Sequence, residues 1–362
     1  MSNTSNQYLP DLVTPPGEIL LEKLAELGMS QTELANRIGR TKKMVNEIIK
    51  GKAPILSETA LQLERVLSIP ARFWSSLEAQ YRESLARQQE RARLTEHAHL
   101  LEKLPIKKMV QLGWLPPQTD PVTTLQEVLN FFGVASIEAF EQVGKEQCLA
   151  FRQSVVHQVD RYALRAWIRK GELAAHACPC APYDEHRFRK TLEQLRKLTR
   201  EPVEVSVPHM TAQCAASGVA LVLVPEIPGT RAWGVTHWLN PEKAVIQLSL
   251  RGKTDDHLWF TFFHEAAHIL LHPKRHTFVE LNGTNDSRER EANQFAADLL
   301  IPPAAWMLIT QTKPRGSVEV QALASKLGIA PGILVGRLQR EKLLPWSHLN
   351  ALKVKLQFVE TL

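Results

Sequence analysis

The segment WFTFFHEAAHILLH at residues 259–272 decides both the fold and the chemistry expected of this chain. His264 and His268 are four positions apart, a spacing that places two side chains on one face of a helix. Two imidazoles on one face can reach the same zinc ion, and Glu265 then lies beside it, where water is activated. The flanking residues are apolar nearly all round, so these polar groups need a partner. The motif predicts a zinc site with Glu265 as general base.

A third protein ligand has to come from another element of the chain. A second helical segment, EREANQFAADLLIP, begins at Glu289, and we take this residue as the third ligand. Glu291, two positions on, faces differently on a helix and is the fallback. His272 is the other alternative, but the metzincin spacing requires Gly and His where this chain has Leu271 and Lys274.

The periodicity of the sequence predicts a mainly α chain with a small β-sheet, of the α+β class. Short β-branched runs bounded by Pro, Gly and Asn predict strands at 218–224, 232–238 and 244–250, with an edge strand at 277–281. We expect the strand at 244–250 to be an open edge on which an extended peptide substrate can lie. The rest of the chain has helical spacing.

Five parts are predicted along the chain. They are an all-α helix-turn-helix head at 1–82, a charged helical linker at 83–117, a mainly helical middle region at 118–213, a metallopeptidase core at 214–310 and a helical end at 311–362.

The head contains the pattern expected of a DNA-binding helix pair. Ser30 and Glu33 match the S-x-x-E capping box, and Gly39 ends the helix that they open. Between Arg37 and Lys52 there are six basic residues against Glu47, a local charge of 6 − 1 = +5. A helix in this basic segment can enter the major groove of DNA. The candidate DNA contacts are Gln31, Thr41, Lys42, Lys43, Asn46, Lys50 and Lys52.

Composition and charge limit the classes of protein to consider. A net charge of +6 and a pI near 9.1 permit nucleic-acid binding without requiring it. No stretch approaches the ~18 apolar residues of a membrane span, so we expect a cytoplasmic protein with no membrane partner. The four cysteines are too few for a disulfide framework. Cys178 and Cys180 with one nearby histidine do not complete a zinc set.

Residues 214–304 resemble the ImmA/IrrE metallopeptidase family through the two helical segments quoted above. The resemblance implies a zinc cofactor, a gluzincin-like fold, His264, His268 and Glu289 as ligands, and Glu265 as catalytic base. The E-x-x-A-N spacing from Glu289 is similar to the gluzincin E-x-x-A-D helix, which implies that Asn293 steadies a ligand histidine. Zinc-dependent members of the family cleave helix-turn-helix repressors, which implies a repressor as protein substrate.

Residues 17–76 resemble the Cro/C1-type helix-turn-helix, and more closely its HigA-like antitoxin branch, through the stretch TPPGEILLEKLAELGMSQTELANRIGRTKKMVNEIIKGKAPI. This resemblance implies double-stranded operator DNA, a homodimer and a small RNase toxin as candidate partners. Two hypotheses remain. The chain is a regulator whose peptidase cleaves a regulatory protein or itself, or a regulator whose C-terminal domain is a non-catalytic zinc or signal sensor.

The stretch at 317–344 also mimics a helix-turn-helix. The second helix of this stretch has few outward-facing basic residues, so we expect the stretch to pack against the peptidase rather than to contact DNA.

Overall fold

The computed structural model describes residues 14–150, 159–274, 278–280 and 287–358. The chain divides into two compact units, residues 1–98 and 99–362. The predicted fold class is confirmed: an all-α head is followed by a mainly helical unit with one small sheet. The five predicted parts are a finer division than this one and stay predictions.

The first unit is a helical head whose helix ends follow from local sequence. The Ser30 hydroxyl accepts a hydrogen bond from the Glu33 amide at 3.1 Å, and Gly39 ends the second helix with φ 67°. The Glu33 carboxylate, the other half of the predicted box, binds Arg37. The helices are α1 (Pro16–Glu26), α2 (Gln31–Ile38), α3 (Lys42–Ile49), α4 (Ser57–Leu67) and α5 (Ala71–Glu96).

Aliphatic side chains and one tryptophan, most of them from these five helices, form the core of the head. Gly17 in α1 lies directly against the backbone of Ile48 and Ile49, where a β-carbon would clash. A glycine at this position therefore lets α1 approach α3 closely and fixes the base on which α3 is presented.

The second unit surrounds its sheet with helices. These are α6 (Ile106–Gln111), α7 (Pro121–Phe132), α8 (Ile137–Ala150), α9 (Arg161–Ala177), α10 (Glu185–Lys197), α11 (Val203–Ala216), α12 (Asp255–Leu271), α13 (Ser287–Leu300), α14 (Pro303–Thr312), α15 (Ser317–Leu327) and α16 (Pro331–Arg340). Short 3-10 helices occur at Ala98–Lys103, Leu198–Arg200 and Asn350–Leu352.

The sheet contains β1 (Val219–Leu223), β2 (Gly234–Asn240), β3 (Lys243–Leu248) and β4 (Phe278–Glu280), in the order β1-β3-β2-β4. β3 pairs with β1 in parallel and with β2 antiparallel, and β4 pairs with β2. The expectation that 244–250 is an open edge is therefore wrong. Strands on both sides of β3 take its backbone hydrogen-bonding groups, so no substrate can add there.

One face of the sheet packs on α12 and the other on α9. The buried residues of α12, among them Trp259, Phe262 and Phe263, share a core with α13, α15 and α16. Val320 and Leu334 belong to that core, so the predicted packing of the 317–344 stretch against the helices of the HExxH region is confirmed.

Two partly buried arginines hold the end of α13. Arg196 donates to the carbonyls of Leu299 and Leu300, and Arg337 donates to those of Ala297 and Ile301. These bonds satisfy carbonyls at the helix end, of which the Ala297 carbonyl also accepts from the Ile301 amide. They also fix the helix on which Glu289 lies.

Among the described residues, no single helix is long and apolar enough to cross a membrane. The two helices α15 and α16, which meet at a bend of 110°, are together long and apolar enough by length and composition alone.

Candidate functional site

The candidate metal site lies between α12 and α13. The i, i+4 spacing turns His264 and His268 toward α13, and Glu289 in the first turn of α13 faces them. All three side chains are buried. The structure therefore brings together the three residues that the sequence singled out as ligands.

The distances suit a single small ion. His264 Nε2 lies 3.1 Å from His268 Nε2 and 3.1 Å from Glu289 Oε2, and His268 Nε2 lies 3.6 Å from Glu289 Oε1. A tetrahedral zinc ion bound at ~2.0–2.1 Å requires ligand atoms about 3.3 Å apart. Two imidazoles and a carboxylate are also donors that zinc prefers, so these residues fit the ion.

Burial and hydrogen bonding set the protonation of His268 and Glu289. It lowers the pKa of His268 to about 4, so the ring is neutral near pH 7 and offers a lone pair. Burial would raise the pKa of Glu289, but hydrogen bonds from His264 and His268 outweigh it and hold the carboxyl well below its ordinary value. Neutral imidazoles and an ionised carboxylate are the forms that bind a metal ion.

Glu265 lies inside the same helix with no exposed surface, 0%. Its backbone carbonyl accepts a hydrogen bond from the Thr236 hydroxyl at 3.0 Å, which fixes this turn of α12 to β2. A β-carbon at Gly234 would come within 2.6 Å of Glu265 Oε1. The missing side chain at Gly234 therefore makes the space that the carboxylate occupies.

The two alternative ligands and Asn293 lie outside the cluster. His272 Nδ1 is 2.9 Å from His268 Nδ1, and His272 Nε2 is 3.3 Å from Glu291 Oε2. Asn293 Oδ1 accepts from Arg340 at 2.8 Å, whereas the sequence assigned it to a ligand histidine. The ring beside the candidate ligand His268 is that of His272, which the sequence analysis considered only as an alternative ligand.

Within the described ranges, three metal-binding side chains converge only at His264, His268 and Glu289. Cys178 and Cys180 bring their sulfurs to 3.9 Å as free thiols. Burial raises the pKa of Cys180 to about 11, so it is a neutral thiol near pH 7.

The candidate DNA-binding residues lie along α2 and α3. Thr41 caps α3, and its hydroxyl accepts from the Met44 amide at 3.2 Å, so this side chain has a structural task. Gln31 begins α2, and Asn46 is half-buried in α3. The exposed lysines around α3 are Lys42, Lys43, Lys50 and Lys52.

Three basic residues that the sequence counted in this segment are paired within the head. Arg37 lies 2.6 Å from Glu33, and Arg40 lies 2.7 Å from Glu58 in α4. Lys43, which is largely exposed, lies 3.9 Å from Glu47. The positive charge left at the surface therefore comes mainly from the lysines around α3.

Family comparisons match both units. Residues 20–74 match the helix-turn-helix family model, and residues 228–339 match the IrrE N-terminal-like domain of Peptidase_M78. Together with the two-unit fold, these matches confirm the two resemblances at the level of domains. No curated protein matches the chain.

Several solved structures are similar to a part of the chain. A HigA-family addiction module antidote protein from Coxiella burnetii is 29% identical, with a TM-score of 0.22, over 23% of this chain and 92% of that one. The antitoxin GraA is 31% identical, TM-score 0.22, over 22% and 87%. PA4674 from Pseudomonas aeruginosa, in complex with its 18-bp operator DNA, is 33% identical, TM-score 0.19, over 20% and 78%.

Proposed function

We propose that this chain, which joins a helix-turn-helix domain to an IrrE N-terminal-like domain of Peptidase_M78, is a DNA-binding regulator with a zinc-dependent endopeptidase. The observation that carries the proposal is the convergence of His264, His268 and Glu289 beside the buried Glu265. We propose a regulatory protein, either a repressor or the chain itself, as the substrate.

In this proposal each residue of the site has one task. His264, His268 and Glu289 would hold zinc, which would supply a Lewis acid for a peptide carbonyl and lower the pKa of a bound water. Glu265 takes a proton from the attacking water and returns it to the leaving amine. Gly234 leaves room for the Glu265 carboxylate.

The head would bind operator DNA through α3. Lys42 and Lys43 lie at the start of the helix with Asn46 one turn further, and Lys50 and Lys52 lie at its end. We propose phosphate contacts for the lysines and Gln31, and contact with an adenine edge for Asn46. Operator binding by a homodimer, a cytoplasmic location and a small RNase toxin as partner remain predictions from the sequence.

A second candidate function is a regulator whose C-terminal domain senses zinc or another signal without catalysis. The complete burial of Glu265 favours it, because a substrate carbonyl must reach the space beside this carboxylate. A latent peptidase that opens on a signal is compatible with the same burial.

Metal analysis and one isosteric variant test these alternatives. We expect near-stoichiometric zinc in the parent protein and its loss in His264→Ala and Glu289→Ala. Glu265→Gln should keep zinc. New N-termini that the zinc-loaded parent produces in a cell extract, and that Glu265→Gln does not, would support the peptidase. Identical N-termini from both proteins would favour the sensor, and a parent that binds no zinc would refute both zinc functions.

A further inference from the structure

A series of hydrogen bonds leads from the candidate ligand His268 through His272 to Glu291 at the surface. His272 is the C-cap of α12, four residues after His268, and Glu291 lies two residues after Glu289 in α13. The Nδ1 atoms of His268 and His272 are 2.9 Å apart, and His272 Nε2 is 3.3 Å from Glu291 Oε2. The His272 side chain is 3% exposed, whereas that of Glu291 is 60% exposed.

The proton positions along this series of hydrogen bonds follow from metal binding at His268 Nε2. His268 Nε2 faces His264 and Glu289, so a metal ion there takes the Nε2 lone pair. The proton of the neutral ring is then on Nδ1 and is donated to His272 Nδ1. His272 must carry its own proton on Nε2, and that atom faces the carboxylate of Glu291, which accepts it.

We propose that His272 and Glu291 are positioning residues that fix the ring and tautomer of His268 and thereby set the zinc affinity of the site. The proposal rests on the proposed function, because it requires His268 to be a zinc ligand. A ligand histidine held through its second nitrogen keeps its orientation and gains basicity, and loss of such a partner costs about 10- to 100-fold in metal affinity. The geometry gives His272 this task instead of the direct ligation that its sequence position allows.

The hydrogen bond between His272 and Glu291 also links the two helices that supply the proposed ligands. His272 is at the end of α12, and Glu291 is in the first turns of α13, so the hydrogen bond between them ties the helices beside the cluster. Because Glu291 is largely exposed and water competes for its carboxylate, we expect His272 to contribute more than Glu291.

The sharpest test compares two isosteric side chains at one position. In His272→Asn the amide oxygen can take the place of Nδ1 and accept the proton from His268, whereas His272→Leu has a similar size and no acceptor. The readout is the Zn²⁺ dissociation constant of the full chain, measured by competition with a chromophoric chelator. Gln294→Ala is the control, because Gln294 is exposed on α13 and its amide binds Asp298.

We expect His272→Leu to weaken zinc binding about 10- to 100-fold, with His272→Asn and the control within about threefold of the parent. Glu291→Ala should weaken binding by a smaller factor in the parent and have no further effect in the Asn variant, since Asn cannot reach Glu291. Equal affinities for the Leu and Asn variants, in a parent that binds zinc, would overturn this proposal and leave the proposed function standing. A parent without zinc binding would overturn both.

Discussion

Zinc should stabilise the second unit by an amount that can be estimated from its size. The unit spans residues 99–362, which is 362 − 98 = 264 residues. At about 2.1 cal/mol/K per residue, its unfolding entropy near the midpoint is about 0.55 kcal/mol/K. Free zinc at a hundred times its Kd adds about 2.7 kcal/mol to the native state, so the midpoint should rise by about 5 °C.

Removal of one ligand charge should abolish most of that shift. Glu289→Gln keeps the size of the side chain and can still hydrogen-bond to His264 and His268, but it lacks the negative charge that faces the ion. If the Kd rises about a hundredfold, the same zinc concentration adds only about 0.4 kcal/mol, and the midpoint moves by less than about 1 °C.

Differential scanning calorimetry of the full chain, with zinc or with a chelator, measures both effects. Gln294→Ala on the same helix should show the full shift. Zinc bound by cysteines and histidines of the unfolded chain lowers the shift, but it does so equally in every variant, because all have the same cysteines and histidines. A parent midpoint that zinc leaves unchanged, or an equal shift in the Glu289→Gln protein, would refute zinc binding through Glu289.

Three further predictions concern the space that Gly234 leaves for Glu265, DNA binding by the helix-turn-helix head, and the effect of pH on stability. Gly234→Ala should cost about 1–3 kcal/mol of stability in urea unfolding, since its β-carbon meets Glu265 Oε1 at 2.6 Å; an equal cost in a Glu265→Ala background would contradict this cause. Lys42→Ala should lower the salt dependence of operator binding by about one phosphate contact in mobility-shift titrations, whereas Arg37→Ala, already paired with Glu33, should change it less. The pKa of His268 is lowered to about 4 in the folded protein, so the unfolded chain takes up this proton first and stability falls as pH drops from about 6.5 to 4. Chelator-treated protein should lose about 3 kcal/mol over that range, and His268→Gln should remove this part of the slope.

Local features of the head and the site could be predicted from the sequence because each depends on residues a few positions apart. The caps at Ser30 and Thr41 and the shared face of His264 and His268 follow from helix geometry alone. The β-branched runs likewise indicated where the strands are, within a few residues.

Features that join distant segments were harder to predict. The sequence left open whether Glu289 or Glu291 faces His264 and His268. The packing of α13 on α12 places the Glu289 carboxylate against them. The pairing of Arg40 with Glu58, which reduces the surface charge of the head, depends on the contact between helices.

The sequence by itself indicated the helix-turn-helix and Peptidase_M78 domains, the fold class and the histidine pair proposed to bind zinc, because these follow from spacings of two to four residues and from family motifs. Only the tertiary structure decided that β3 lies inside the sheet, that Gly234 makes room for Glu265, and that His272 lies against His268. Strand order and the contacts of a buried side chain depend on which segments pack together, and that packing depends on the whole chain.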